Sequence, residues 1–188
     1  MDPETTSLIS QFILILVLTT LNAFFASAEI AIVSINRNRM KILADNGNKK
    51  AILLMNLLEE PNKFLSTIQV GITLAGFFSS ASAATGISEV IGASLSQLGI
   101  PYALSISLVV FTLLWSYVTL VFGELVPKRI ALQKSEQMAM LSVRPIVFVS
   151  KFAKPFVKLL SLSTNLLLRV IGMSDTDLEE KVSREEIK

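Results

Sequence analysis

The sequence predicts an all-α membrane protein with three transmembrane helices, short cytoplasmic helices and an amphipathic juxtamembrane helical belt. The chain has 188 residues, of which 52% are hydrophobic, and its mean hydropathy is +0.61. Soluble domains rarely reach this hydrophobicity, and long apolar runs are typical of membrane spans. The basic residues avoid these runs and lie in two blocks, at 37–63 and from Lys128 onward.

Three segments are long enough to cross a bilayer, which takes roughly 20 mostly apolar residues. The apolar runs cover about residues 8–34, 64–84 and 102–122. The helices that contain them are predicted at about 7–36, 62–85 and 101–127.

The two basic blocks predict the orientation of the spans. Cytoplasmic loops carry the excess of Lys and Arg, so both blocks are expected in the cytoplasm. The connection at 86–101, with Glu89 as its only charge, is then outside. The N-terminus is expected outside, the C-terminus inside, and the protein in the cell (plasma) membrane as a multi-pass protein.

The first basic block is expected to form one or two short cytoplasmic helices. Asn46-Gly47-Asn48 is a turn signal between them. Residues 51–58 are apolar but too few to span a membrane, and Glu59-Glu60-Pro61 ends that helix. We expect these helices to pack on the cytoplasmic ends of the spans.

Residues 143–173 are apolar but interrupted by positive charges. Lys151, Lys154 and Lys158 share one helical face, which favours juxtamembrane helices, at about 136–172, that lie in the inner membrane interface. Pro145 and Pro155 are expected to break the run. The alternative is a fourth span at 156–173.

The tail differs in composition from the predicted membrane domain, residues 1–173. Residues 174–188 are expected to be a linker, because 174–177 are polar. Ser183-Arg184-Glu185-Glu186 matches a capping box, which starts a helix. A helix that starts so close to the last residue leads us to expect that the natural protein continues into a cytoplasmic domain.

The composition restricts the chemistry that the chain can perform. Cysteine and histidine are absent, so thiolate and imidazole ligands are excluded and any metal must be held by oxygen. Oxygen ligands suit Mg²⁺, Ca²⁺, Na⁺ or K⁺. The net charge of +2 does not suggest a nucleic-acid partner. Without a histidine, a cysteine or a carboxylate pair on neighbouring turns, no enzyme activity is expected.

The strongest candidate ion site is the sequence Phe122-Gly-Glu-Leu-Val-Pro-Lys128 at the end of the third span. Pro127 has no N–H, so it cannot bond the carbonyl of Gly123, which is expected to be free beside the Glu124 carboxylate. A free carbonyl and a carboxylate are ligands for a hard cation. The alternative is that Glu124 is an interfacial residue paired with Lys128, four positions on.

Other polar residues inside the spans have two interpretations each. Glu29 either pairs with Arg37, Arg39 or the third span, or has a role in ion binding. Asn22 and Ser27 either supply neutral ligand oxygens or join helices by hydrogen bonds. The second span carries a small, polar stripe that suits either a helix-packing seam or a cation path: Ser66, Gln69, Thr73, Gly76 and Ser80.

Three blocks of the chain resemble the CorC/CorB/cyclin M (CNNM) family, in the order in which that family has them. They are residues 22–34, beginning Asn-Ala-Phe-Phe; residues 61–76, beginning Pro-Asn-Lys-Phe; and Phe-Gly-Glu-Leu-Val-Pro-Lys-Arg at 122–129. The resemblance implies a homodimeric domain with three spans and a juxtamembrane belt. It implies Mg²⁺ transport, usually Na⁺-coupled export, and a cytoplasmic pair of CBS modules, absent from this chain, that binds ATP with Mg²⁺.

The resemblance also implies that the ion lies between the three spans near the cytoplasmic side. Gly123 and Glu124 match the family without change, and Asn22 fits the first position of the first span. Ala26 occupies the second position, so Ser27 would have to replace that oxygen, and Thr73 is the nearest oxygen after Gly71.

The expected function is therefore Mg²⁺ transport by alternating access, with Pro127 as a hinge. The expected ligands are Gly123, Glu124, Asn22, Ser27 and Thr73 or Gln69, while Glu29 and Ser66 either support them or hold Na⁺. The expected partners are a second copy, membrane lipids and the CBS pair. The alternative is a Mg²⁺ sensor or scaffold that signals without transporting the ion.

Overall fold

The fold was obtained as a computed structural model that describes residues 3–172, and these residues form helices without any strand. The helices are α1 (Pro3–Val33), α2 (Arg37–Asp45), α3 (Lys49–Glu59), α4 (Pro61–Thr85), α5 (Ile87–Gln97), α6 (Ala103–Leu120), a π-helical segment (Val121–Leu125), α7 (Val126–Gln133) and α8 (Ser135–Val170).

Three stretches of this helical chain are long and apolar enough to cross a membrane, which confirms the predicted fold class. They are Leu8–Val33, Phe64–Gln97 and Ala103–Gln133. Their large apolar side chains are extensively exposed, as expected of helices that face lipid. The helix α8 is not among them, so the alternative of a fourth span at 156–173 is not supported. The orientation of the spans stays a prediction.

Helix α1 lies at the centre of the molecule and packs against α4, the π segment, α7 and α8. The approach of α1 to α4 is close at Gly71, where a Cβ would lie 2.8 Å from the ring of Phe25. The buried apolar core surrounds the second half of α1 and is completed by α2, α3, α4, α7 and α8. Its largest buried members include Ile32, Met40, Leu54, Ile68 and Ile146.

The short helices α2 and α3 lie on either side of the predicted Asn46-Gly47-Asn48 turn. Asn36 caps α2 by accepting the N–H of Arg39 at 3.1 Å. Asn48 caps α3 by accepting the N–H groups of Lys50 and Ala51 at 3.0 and 3.2 Å. Gly47 has φ +84°, a conformation that favours glycine. Side-chain caps thus specify both helix starts.

The connection at 86–101 contains an eleven-residue helix, α5, which packs against α6 so closely that a Cβ on Gly92 would lie 2.9 Å from the Leu104 backbone. One expectation about the helices was wrong. Pro145 and Pro155 do not break the run, because α8 continues through both. Burial of Val143, Ile146 and Val157 against the rest of the molecule stabilises α8 where local propensity would end it.

Candidate ion site

The three spanning segments meet around Asn22, whose side chain is buried between α1, α4 and the π segment. Its Nδ2 donates a hydrogen bond of 3.1 Å to the carbonyl of Gly123. A Cβ on Gly123 would lie 3.1 Å from that nitrogen, and a Cβ on Gly76 would lie 3.9 Å from Asn22 Oδ1. Glycine at position 123 therefore leaves space for the amide, whereas a Cβ at position 76 would make an ordinary van der Waals contact. We call this contact of Asn22 with Gly76 and Gly123 the Asn22 junction.

The backbone of the third segment widens where it meets Asn22. Residues Val121–Leu125 form a π-helical turn, in which the N–H of Val126 bonds the carbonyl of Val121. Pro127 follows directly and has no N–H to offer the Gly123 carbonyl. A π turn of this kind is frequent at functional sites, because it redirects backbone groups away from the regular helical ladder.

The expectation of a free Gly123 carbonyl was wrong in one respect. Pro127 does remove the backbone donor, but the Asn22 amide donates to the carbonyl instead. A buried carbonyl is costly to leave unpaired, so a side chain from another helix takes the place of the missing N–H. The sequence shows the loss of the donor and cannot show which distant side chain replaces it.

Two buried oxygens near this junction have no hydrogen-bond partner. They are Oδ1 of Asn22 and the Oγ1 of Thr119, which lies one turn before Gly123. An unpaired buried polar group costs about 1–3 kcal/mol, so native proteins rarely keep one without a reason. Neutral carbonyl, amide and hydroxyl oxygens are the donor type that hard cations take. The residues present therefore fit a hard cation.

A rotation of the Asn22 amide would change what the junction offers an ion. In the present arrangement Nδ2 faces the Gly123 carbonyl, and Oδ1 points toward Gly76. Turning the amide by half a turn would place Oδ1 beside the Gly123 oxygen. Two oxygens side by side repel each other unless a cation lies between them, so the Nδ2 hydrogen bond suits the ion-free state.

A second polar layer joins the same three helices one turn away. Thr19 Oγ1 and Ser79 Oγ lie 3.3 Å apart, and Nε1 of Trp115 donates to Ser79 Oγ at 3.3 Å. Sequence reasoning did not select Thr19, Trp115 or Thr119. Helical spacing could have indicated two of them. Thr19 is three residues before Asn22, and Thr119 is four residues before Gly123, so each lies on the same helical face as a candidate residue.

Three charged side chains lie on the other side of the junction. Nζ of Lys128 donates to Oε1 of Glu124 at 2.8 Å and lies 3.4 Å from Oε2 of Glu29. Glu124 thus has the Lys128 pairing that the sequence offered as an alternative to ion binding. Glu29 pairs with Lys128 and not with Arg39, which bonds Glu136 of α8 at 3.1 Å. We call Glu29, Glu124 and Lys128 the charged triad.

The remaining candidate residues lie away from the Asn22 junction. The Ser27 hydroxyl donates to the Ala23 carbonyl of its own helix at 2.7 Å. Glu29, Ser66, Gln69 and Thr73 line a separate cavity of about 620 Å³, which is closed on one side by α8 through Phe156, Leu160 and Thr164. The structure thus divides the predicted ligands between the junction and this cavity.

Acidic residues alone do not form a metal site in the part of the chain that the structure describes. Residues 3–172 contain no group of three or more His, Cys, Asp or Glu side chains close enough to hold an ion. An ion at the junction would depend on neutral oxygens, with Glu29 and Glu124 supplying negative charge nearby.

Comparison with known proteins gives consistent matches. A family model described as the cyclin M transmembrane N-terminal domain matches residues 12–188. The UPF0053 protein sll0260 of Synechocystis sp. is 39% identical over 95% of this chain and 40% of its own length. YhdP of Bacillus subtilis is 33% identical over 95% and 40%, and a UPF0053 protein of Haemophilus influenzae is 29% identical over 98% and 41%. The chain thus spans about 40% of these relatives.

Proposed function

Because the chain belongs to the cyclin M transmembrane N-terminal domain family, a membrane protein family of the Mg²⁺ transport type, we propose that it moves Mg²⁺ across the plasma membrane. The Asn22 junction carries this proposal. A buried carbonyl of the third span and an amide of α1 meet there, and Asn22 Oδ1 and the buried Oγ1 of Thr119, one turn before Gly123, are unpaired.

The proposed ligands at the junction are the Gly123 carbonyl, Asn22 Oδ1 after amide rotation and the Thr119 hydroxyl. Glu124 supplies charge from the residue next to Gly123. Mg²⁺ dehydrates reluctantly, so several of its six positions would be filled by retained water. Gln69, Thr73, Ser66 and Glu29 line the separate cavity beside α8 and are not ligands at the junction, and Ser27 has no ligand role in this arrangement.

Transport is proposed to be Na⁺-coupled export by alternating access. The π segment supports this, since an interrupted helix beside an ion site lets one part of a span move relative to the other. Pro127 keeps the interruption in place, because no backbone N–H can close the helix onto Gly123. A homodimer and a cytoplasmic CBS pair complete the proposed protein.

The decisive experiment measures Mg²⁺ movement by the full-length protein in proteoliposomes with an imposed Na⁺ gradient. Sustained Mg²⁺ flux that depends on Na⁺ is the expected result. Glu124→Gln should reduce flux at least about tenfold, since the variant keeps the shape of the side chain and loses its charge. Unchanged Mg²⁺ binding and flux in this variant would remove Glu124 from the site.

The second candidate function is a sensor or scaffold that binds Mg²⁺ and signals to a cytoplasmic domain. The salt bridges of Lys128 support the sensor, because they link Glu29 and Glu124 beside the proposed ion site to α7. A change in α7 on ion binding could be passed on without any path for the ion across the membrane. Mg²⁺ binding without flux, measured by calorimetry and the proteoliposome assay on the same preparation, would support the sensor over the transporter.

A further inference from the structure

The ammonium of Lys128 lies between two carboxylates that belong to different parts of the chain. It is 2.8 Å from Oε1 of Glu124 in the π segment and 3.4 Å from Oε2 of Glu29 in α1. The three side chains are 27%, 33% and 23% exposed, in the order Lys128, Glu124, Glu29. Two other basic residues differ from Lys128 in their surroundings: Arg129 is exposed, and Arg39 bonds Glu136.

The position of the triad relative to the Asn22 junction follows from helix geometry. Glu29 is seven residues after Asn22, two turns along the same face of α1, and Glu124 is the residue after Gly123. Lys128 is one turn after Glu124 on α7. The ammonium therefore lies beside the two carboxylates that would attract a cation to the junction.

The ammonium of Lys128 weakens the attraction of the two carboxylates for a cation. Glu29 and Glu124 together carry a charge of about −2, and the ammonium reduces the total to about −1. It also occupies one oxygen of each carboxylate, so an ion that needs those oxygens must compete with it. A second positive charge close to the ammonium would be repelled by it.

We propose that Lys128 is an internal cation that satisfies Glu29 and Glu124 in the ion-free protein and must be displaced when a divalent cation binds. This inference rests on the proposed function, because it assumes that the Asn22 junction binds Mg²⁺. Displacement makes binding weaker than the two carboxylates alone would give. It also provides a counter-charge that returns when the ion leaves, which favours release during a transport cycle.

The competition also favours divalent over monovalent cations. A Na⁺ ion that replaced the ammonium would leave the summed charge at about −1, so it would gain little. A Mg²⁺ ion would bring the sum to zero. Lys128 is thus a residue that sets both affinity and charge selectivity, although it is not itself a ligand.

The first test measures the Mg²⁺ affinity of the 188-residue chain by the fluorescence of Trp115, its single tryptophan, which lies in the polar layer beside the junction. Lys128→Met should bind Mg²⁺ at least about tenfold more tightly, and Na⁺ should compete more effectively, because the competing charge is gone. Lys128→Arg keeps the charge and should stay within about threefold of the wild type. Arg129→Met, a neighbouring exposed charge, should leave the affinity unchanged.

Mg²⁺ binding that is equal or weaker in Lys128→Met than in the wild type would overturn the inference and leave the proposed function intact. A wild type that binds no Mg²⁺ would instead overturn the proposed function, and the inference with it. Tighter Mg²⁺ binding by Lys128→Met is informative, because a variant that only disturbed the structure would bind Mg²⁺ more weakly.

The second test needs no variant and therefore does not depend on whether one folds. The wild-type protein is treated with an amine-reactive reagent with and without Mg²⁺, and modification of each lysine is measured by mass spectrometry. Displacement from the carboxylates should raise the reaction rate of Lys128 about threefold or more, while the exposed Lys134 stays constant as the control. A rate at Lys128 that Mg²⁺ leaves unchanged or lowers would contradict the displacement.

Discussion

At the scale of single residues, Asn22 connects α1 to the backbone of the third span. Its amide bonds a carbonyl that Pro127 has deprived of a backbone donor, and the absence of a side chain at Gly123 leaves space for it. One side chain thus both stabilises the ion-free packing and supplies a proposed ligand. The two roles use opposite ends of the same amide, so an ion and the hydrogen bond exclude each other.

Asn22→Ala is expected to lower both stability and ion binding. The Gly123 carbonyl would lose its donor, which costs about 1–3 kcal/mol in a buried position. Thermal unfolding of the detergent-solubilised protein should show a lower Tm without Mg²⁺ and no increase in Tm when Mg²⁺ is added.

Thr20→Ala is the matched control for this prediction. Thr20 is exposed on the same helix, and its hydroxyl bonds only the Leu16 carbonyl of α1 at 2.8 Å. It should keep the Mg²⁺-dependent rise in Tm. An equal loss of that rise in both variants would show that the effect belongs to α1 in general and not to the amide.

At the scale of the elements, the π segment separates α6 from α7. If the α-helix were continuous, the backbone groups of Gly123 and Glu124 would take part in its regular hydrogen bonds. The wider π turn interrupts this pattern for five residues, and Pro127 has no N–H with which to restore it. The proposed site therefore depends on a local departure from helical geometry at the point where α1 approaches.

Pro127→Ala should weaken Mg²⁺ binding about tenfold without unfolding the protein. The substitution supplies an N–H that can bond the Gly123 carbonyl and compete with the ion for it. Titration of Trp115 fluorescence with Mg²⁺ measures the change. Pro145→Ala, which replaces an exposed proline inside α8, is the control and should bind Mg²⁺ like the wild type. An unchanged affinity in Pro127→Ala would show that packing alone, and not the missing N–H, keeps the Gly123 carbonyl available.

Helix α8 presents its lysines to two cavities beside α3 and α4. Cavities of about 260 and 460 Å³ are both lined by Thr67, Ser150 and Lys154. Lys151 lines the first and Lys158 the second. Positive charges and hydroxyls next to apolar walls suit anionic lipid headgroups, and the interfacial position of α8 stays a prediction.

Replacing Lys151, Lys154 and Lys158 together with Gln should reduce the binding of anionic lipid. Each basic residue near an anionic surface contributes about 1 kcal/mol. Native mass spectrometry of the full-length protein should detect fewer retained phosphatidylglycerol molecules. The same change at Lys41, Lys49 and Lys50 is the control, and equal retention by the two triple variants would contradict a headgroup site on α8.

At the scale of the whole molecule, the distribution of charge predicts the orientation. Basic residues are absent from 64–127 and present on both sides of it, so α5 is expected outside and the helices α2, α3 and α8 at the cytoplasmic side. In this orientation the charged triad and the apolar core are expected toward the cytoplasm, and the Thr19–Ser79–Trp115 layer between the junction and the outside.

The absence of cysteine makes this orientation testable with single-cysteine variants. Leu98→Cys places an exposed thiol after α5, and Asn46→Cys places one in the α2–α3 turn. A membrane-impermeant maleimide applied to intact cells should label the first at once and the second only after the membrane is opened. The reverse pattern would invert the topology.

The sequence by itself determined the all-α membrane fold and the three spanning segments, which follow from local properties, run length and composition. The resemblance of three blocks identified the family, and together with the missing N–H of Pro127 it made Asn22, Gly123 and Glu124 candidates for an ion site. The tertiary structure decided which distant groups meet. It paired Asn22 with Gly123, joined Glu29 and Glu124 through Lys128, moved Gln69 and Thr73 to another cavity, and kept α8 continuous through two prolines. Hydropathy and helical periodicity describe one segment at a time, whereas an ion site and the packing that supports it depend on the relative rotation of several helices, which no single segment specifies.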